Sequence, residues 1–154
     1  MNRLSLLLLA ISLASLLGAC SSGPPRVIGQ EAYNGQAAAG IVRPPGAQGA
    51  QIQQRMIAGL DADGAFAGLY PLDSAYESTE VEVLIEPVVV EAQPGGRGFE
   101  RLLLQVRASR KNDRGDAFNK SYRGRASGRR DALDEILEPL GRDLRRRFGA
   151  NPVY

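Results

Sequence analysis

No histidine and no tryptophan occur in the 154 residues, and there is one cysteine, Cys20. Each absence removes chemistry. Without His, the common zinc sites, the Ser/His/Asp triad and the Cys/His dyad cannot be assembled. Without a second Cys, no disulfide can form within the chain. A lone thiol is out of place in an oxidising compartment, so Cys20 needs another explanation. What remains is an ordinary globular composition, 44% hydrophobic and 23% charged with a formal net charge of +2. Once an N-terminal leader is set aside, the length suits one small domain.

The leader supplies the explanation for Cys20. Arg3 gives a positive start, and Leu4 to Leu17 form an apolar run broken only by Ser and Ala. The run falls short of the ~20 apolar residues that span a bilayer comfortably, and reads instead as a signal peptide. It ends in Leu17-Gly18-Ala19-Cys20, which resembles a lipobox: a branched apolar residue, two small ones, then cysteine. That resemblance implies cleavage between Ala19 and Cys20, with lipid attached to the Cys20 sulfur and to the new amine. Several acyl chains anchor a protein far more firmly than the single chain that binds only marginally. Ser21, in place of an aspartate, resembles the default carried onward to the outer membrane. Ser21 to Pro25 form a polar, proline-broken tether. No cofactor is expected beyond this covalent lipid.

Beyond the tether, Val27-Ile28 and Ile41-Val42 are short apolar islands that suggest brief strands. Pro44-Pro45-Gly46 breaks the chain ahead of a helix from Ala47 to about Leu60, with Ile52, Met56, Ile57 and Leu60 on one face. Gly64 ends it, and Phe66 to Tyr70 can start a strand. Glu80 to Gln93 alternates Val81, Val83 and Ile85 with Glu80, Glu82 and Glu86, which gives one core face and one wet face. Pro87 cannot donate to a ladder and points to an edge position or a bulge. Gln93 to Gly96 is a turn. Phe99 to Ser109 follows as a strand with Leu102, Leu104, Val106 and Ala108 on one face. Asn112-Asp113 turns into Asp116 to Ala126, anchored by Phe118 and Tyr122. Leu133, Ile136, Leu137, Leu140, Leu144 and Phe148 form the stripe of a closing helix, acidic at its start and basic at its end as its dipole favours. Pro139 predicts a kink or a short first segment.

The pattern gives an α+β fold: an antiparallel sheet of three to five strands packed against two helices, preceded by a cleaved lipoprotein signal peptide. The domains follow as signal at 1–19, lipid anchor and tether with a short strand at 20–46, and a single α+β domain at 47–154.

Charge is divided along the chain. Pro24 to Gly96 carries 3 basic and 9 acidic residues, and Arg97 to Tyr154 carries 15 basic and 8 acidic. Arg107, Lys120, Arg123 and Arg125 are the candidates for contact with an anionic envelope partner, such as lipopolysaccharide phosphates or an acidic glycan. The plainer reading is a solvated face neutralised through cross-strand pairs by the Glu-rich strand beside it. Nucleic acid is not an expected partner in this compartment.

Asp61 and Asp63 look like the start of a calcium loop, but the later ligands do not follow, so a helix-ending turn is the reading and no metal is expected. Arg114-Gly115-Asp116 is read as part of a polar hairpin turn. Glu80 and Glu82 are expected on a wet strand face, which offers no acid/base pair. Catalysis has no candidate residue, and the chain is read as no enzyme.

Asp116-Ala117-Phe118-Asn119-Lys120-Ser121-Tyr122-Arg123-Gly124, followed by the helix from Asp131 to Phe148, resembles the YajG-like group of small Gram-negative lipoproteins. The layout of helix, antiparallel strands and closing helix is also similar to the lipopolysaccharide-assembly lipoprotein and to auxiliary lipoproteins of lipid-transport systems. The resemblance covers the C-terminal half. It implies one sheet with two helices and an accessory role in an envelope protein complex at the outer membrane, with no catalytic residue to carry over. It leaves the oligomeric state open.

Overall fold

The computed structural model describes residues 37–111 and 118–149. The signal peptide, the Ala19–Cys20 processing site, the tether, the Val27-Ile28 island, the Asn112-Asp113 turn and Arg114-Gly115-Asp116 lie outside the described residues. Strand β1 is Ala38–Val42, helix α1 Gly49–Ala62 and strand β2 Gly68–Leu72. A short 3-10 helix, Ala75–Glu80, leads into β3, Val83–Gly95. Strands β4, Gly98–Arg110, and β5, Phe118–Arg125, complete the sheet, and α2, Ala132–Phe148, closes the fold.

The five strands run in the order β2-β1-β3-β4-β5. β3, β4 and β5 form the expected antiparallel meander. The sheet as a whole is mixed, however, because β1 pairs parallel to β2 and parallel to β3. A parallel pair needs a crossover, and α1 supplies it between β1 and β2. The domain therefore begins earlier than residue 47. Ala39 and Ile41 of β1 are fully buried in the core, so the short strand expected at Ile41-Val42 is a central strand of the domain and not part of the tether.

Pro87 is accommodated as an edge residue inside an interior strand. β1 reaches only as far as the Ile41–Ile85 pair, so from Glu86 onward β3 has a neighbour on one side alone, β4. A missing N–H at Pro87 breaks no ladder there. The register slips by one residue between Val89 and Glu91, a bulge that turns Glu91 toward the face opposite the core. The hairpin itself turns tightly at Gly96-Arg97, with Gly95 opposite Gly98. Gly98 adopts φ +137°, and a Cβ there would run into the Asp131 carboxylate, so both conformation and space demand glycine.

One continuous core lies between the sheet and the two helices. Val83 and Ile85 of β3, Leu102, Leu104, Val106 and Ala108 of β4 and Tyr122 of β5 meet Ile52, Met56 and Leu60 of α1 and the Leu133 to Phe148 stripe of α2. Each fully buried leucine of that stripe contributes roughly 1.5–3 kcal/mol. The helices touch where Leu137 packs over Gly59. α2 runs unbroken through Pro139, so no short first segment forms. The carbonyl that Pro139 leaves without a helical donor belongs to Glu135, an exposed residue that water can reach.

Two buried polar side chains fasten the layers. The buried Gln53 side chain donates to the carbonyls of Ile41 at 2.7 Å and Leu72 at 2.8 Å, tying α1 to the ends of β1 and β2. Asp131 caps α2 by accepting from the N–H groups of Leu133 and Asp134, with Asp134 closing the capping box. The same carboxylate accepts from Phe99 N–H at 3.2 Å and from both terminal nitrogens of Arg55, at 2.5 and 2.7 Å.

Candidate functional site

The antiparallel register decides which charged residues share a face. On the side away from the helices, Arg101 lies opposite Arg125, Leu103 opposite Arg123, Gln105 opposite Ser121 and Arg107 opposite Asn119. β3 extends the same face with Gln93 beside Arg101, Glu91 beside Leu103, Val88 beside Gln105 and Glu86 beside Arg107. Gln105 donates to the Asn119 side chain at 3.1 Å. The four arginines are exposed, and among the described residues none of them forms an ion pair. Glu86, the carboxylate expected to neutralise this face, stands in register with Arg107 without forming one.

A shallow depression of about 330 Å³ opens on this face, lined by Glu91, Arg101, Leu103, Arg123 and Arg125 together with Leu102 and Gly124. Of the four residues proposed from sequence, Arg123 and Arg125 line it. Arg107 shares the face but lies further along β4. Lys120 is on the opposite face. It is in register with Val106 and bonds Asp143 of α2 at 2.6 Å, its ammonium 5.3 Å from the Tyr122 ring centroid. Tyr122 O–H donates to the same Asp143 oxygen at 2.8 Å. The hydrogen bond from Lys120, and then that from Tyr122, hold the Asp143 carboxyl below its usual range. Burial first, and the neighbouring Asp143 second, push the Tyr122 phenol well up. Lys120 is thus a tie between sheet and helix.

Two further basic residues are also tied internally. Arg110 donates to the Phe148 carbonyl at 3.4 Å, and Arg130 stands 3.8 Å from Glu138. Two residues of the depression were not singled out in the sequence, Arg101 and Glu91. Arg101 shares the strand alternation of Arg107, but its juxtaposition with Arg125 depends on the β4–β5 register. Glu91 reaches the face only through the bulge.

The most perturbed carboxylate lies elsewhere. Burial pushes Asp131 up, but hydrogen bonds from Arg55 and from the N–H groups of Asp134 and Phe99 outweigh it and hold the group at about 2. Its carboxylate in turn pushes the Arg55 guanidinium up, against the opposing effect of burial. At neutral pH this is a permanent ion pair with no proton to exchange. Asp63 accepts from Arg145 through its side chain at 3.2 Å and its backbone carbonyl at 2.5 Å, and Gly64 leaves α1 at φ +62°, a helix-ending turn. Among the described residues, no group of three Asp, Glu, His or Cys side chains is placed to hold a metal ion. No described helix is long and apolar enough to cross a membrane.

No family model and no curated protein matches the chain. Among solved structures it is similar to a PelC dodecamer subunit from Paraburkholderia phytofirmans, at 12% identity and a TM-score of 0.52, over 79% of this chain and 94% of that one. The hypothetical protein CT253 from Chlamydia trachomatis aligns at 10% identity and a TM-score of 0.44, over 73% and 95% of the two chains. Lipoprotein GNA1162 from Neisseria meningitidis aligns at 11% identity and 0.43, over 71% and 99%. The likeness to PelC is one of fold.

Proposed function

We propose that the chain is an outer-membrane lipoprotein, held on the periplasmic side through lipid on Cys20, that acts without catalysis as a docking subunit of an envelope protein complex. The anchor rests on Arg3, the apolar run and Leu17-Gly18-Ala19-Cys20. The docking role rests on one observation: both helices pack on a single face of the sheet, and the β3–β4–β5 part of the other face stays open to solvent. Beside it, where β1 ends, Val88 and Val90 are 46% and 56% exposed on a strand with one free edge. Such a free edge and face are what strand-adding and surface-docking partners use. A resemblance to YajG-like and lipopolysaccharide-assembly lipoproteins agrees with this role.

Labelling cells with a palmitate analogue tests the anchor, because the label must be lost in Cys20→Ala. Crosslinking from probes at Val88 and Gln105, followed by purification from membranes, should recover one envelope protein in stoichiometric amount. Recovery of the chain alone from both positions would refute docking through this face.

The unpaired arginines support a second reading, a binding protein for an anionic envelope ligand such as lipopolysaccharide or an acidic glycan. That binding should weaken as salt rises.

A further inference from the structure

Arg101 and Arg125 stand directly opposite each other in the β4–β5 ladder, an arrangement of like charges that destabilises a sheet. Arg123, one step along, adds a third guanidinium to the same depression, where Glu91 is the one carboxylate. A sheet selected only to fold has better choices at these three exposed positions. The repulsion is relieved when an anion sits between the guanidiniums, and the lining says which kind. Resting on the anionic reading above, we propose that the depression binds a phosphorylated saccharide, with its phosphoryl group on Arg101, Arg123 and Arg125 and a sugar hydroxyl on Glu91.

Three features select this class. The guanidinium fork bonds two oxygens of one oxyanion at once, which suits a phosphoryl group. Three guanidiniums against one carboxylate leave two positive charges, the complement of a phosphomonoester carrying close to two negative charges at neutral pH. A carboxylated sugar such as a uronic acid brings one. The remaining lining then has a use. Glu91, turned onto this face by the bulge, can only accept hydrogen bonds when ionised and would repel a bare phosphate, but it suits a hydroxyl donor. Leu103 offers a half-buried apolar floor for the C–H face of a sugar ring. A depression of about 330 Å³ holds a sugar phosphate and has no room for a longer glycan, which would extend over the open face.

Calorimetric titration of the full-length chain in a polyoxyethylene detergent at low salt tests this. Glucose 1-phosphate should bind at least ~10-fold more tightly than inorganic phosphate, glucuronate or glucose. Arg101→Gln and Arg125→Gln should each weaken it by ~10-fold or more, the loss of a charge-assisted pair. Arg129→Gln removes the same charge from an exposed residue that does not line the depression, and, compared with the parent at about 0.15 M salt where the Debye length is about 8 Å, should change binding by less than about 2-fold. Glu91→Gln should narrow the preference for glucose 1-phosphate over phosphate. Arg125→Gln should leave the unliganded protein's melting temperature unchanged or raised, because it removes a repulsion; a purely structural arginine would lower it. Phosphatidylglycerol mixed into the same detergent micelles, a lipid source of phosphoryl groups without a phosphorylated sugar, should compete poorly.

Equal weakening by Arg129→Gln, equal affinity for inorganic phosphate, or full competition by the micellar phosphatidylglycerol overturns the proposal. If heparin binds in a salt-sensitive manner while glucose 1-phosphate does not bind, this site is refuted and the broader anionic reading stands. If neither binds, both fall.

Discussion

Asp131→Ala removes five hydrogen bonds from one buried carboxylate, and the loss can be estimated bond by bond. The side chain is 5% exposed. It caps α2 through the N–H groups of Leu133 at 3.0 Å and Asp134 at 3.1 Å, and losing a cap of this kind costs about 1 kcal/mol. Phe99 N–H, bonded at 3.2 Å, is left buried without a partner, at about 1–3 kcal/mol. Arg55 keeps Asp134 at 2.6 Å, so its charge is not stranded. The total is about 3 kcal/mol, near the low end for breaking a buried ion pair. Asp131→Asn retains a capping oxygen and should cost less, about 1–2 kcal/mol. The carboxyl is held at about 2, against 3.8 for an ordinary aspartate. A depressed carboxyl stabilises the fold above its unfolded pKa and loses that contribution as pH falls through its folded one. The contribution is about 2 kcal/mol at neutral pH, lost between about pH 4 and pH 2. Urea unfolding followed by circular dichroism at pH 7, and across that acid range, measures both effects. A loss below about 1 kcal/mol in Asp131→Ala at pH 7, with an acid limb as steep in Asp131→Asn as in the parent, would refute the assignment of Asp131 as the joint between α1, α2 and the β3–β4 hairpin.

Gln53→Met keeps the volume but withdraws both donors from the Ile41 and Leu72 carbonyls, and should cost about 1–3 kcal/mol in urea unfolding. Gly124→Ala places a Cβ against the Ala132 carbonyl, where backbone and not a flexible side chain must move, so a loss of about 1–3 kcal/mol is expected. Tyr122→Phe should flatten the alkaline limb of stability. A phenol whose folded pKa is raised stabilises the fold below about pH 10 and loses that contribution as pH rises through its folded value, so the urea-midpoint difference between parent and variant should be constant below that pH and change above it, where the parent alone loses stability.

α2 is legible in the sequence because six apolar residues at helical spacing have no other use, and Asp131 ahead of Asp134 marks its start. β3 and β4 are legible for the same reason at period two. β1 is legible only as the Ile41-Val42 island, and its central place is not, since Ala38-Ala39-Gly40-Ile41-Val42 shows no polar alternation. Its neighbours cover it on both faces, with Leu72 and Val81 packed over Gly40 on the side away from the helices. Parallel pairing leaves no turn signal to read. Period two already sets Lys120 between Phe118 and Tyr122, on the helix side, so its separation from Arg123 and Arg125 is written in the chain. The Arg101–Arg125 opposition is not, because it depends on the length of chain between β4 and β5, and Glu91 depends on a bulge that no residue type announces.

The place of β1 also bears on the order in which the molecule can form. Its strand is the earliest of the described elements, yet it lies between β2 and β3, and its partner Val83 for Ala39 follows only after α1 and β2. The hairpins of β3, β4 and β5, with α2 laid over them, close short loops and are the fast-forming half. A chain delivered N-terminus first can therefore pair Ala38–Val42 with β2 alone until β3 has arrived, and β2, whose one neighbour is β1, can join the sheet no earlier than β1 does. Pulse-labelled amide exchange should find the β4 amides protected before those of β1.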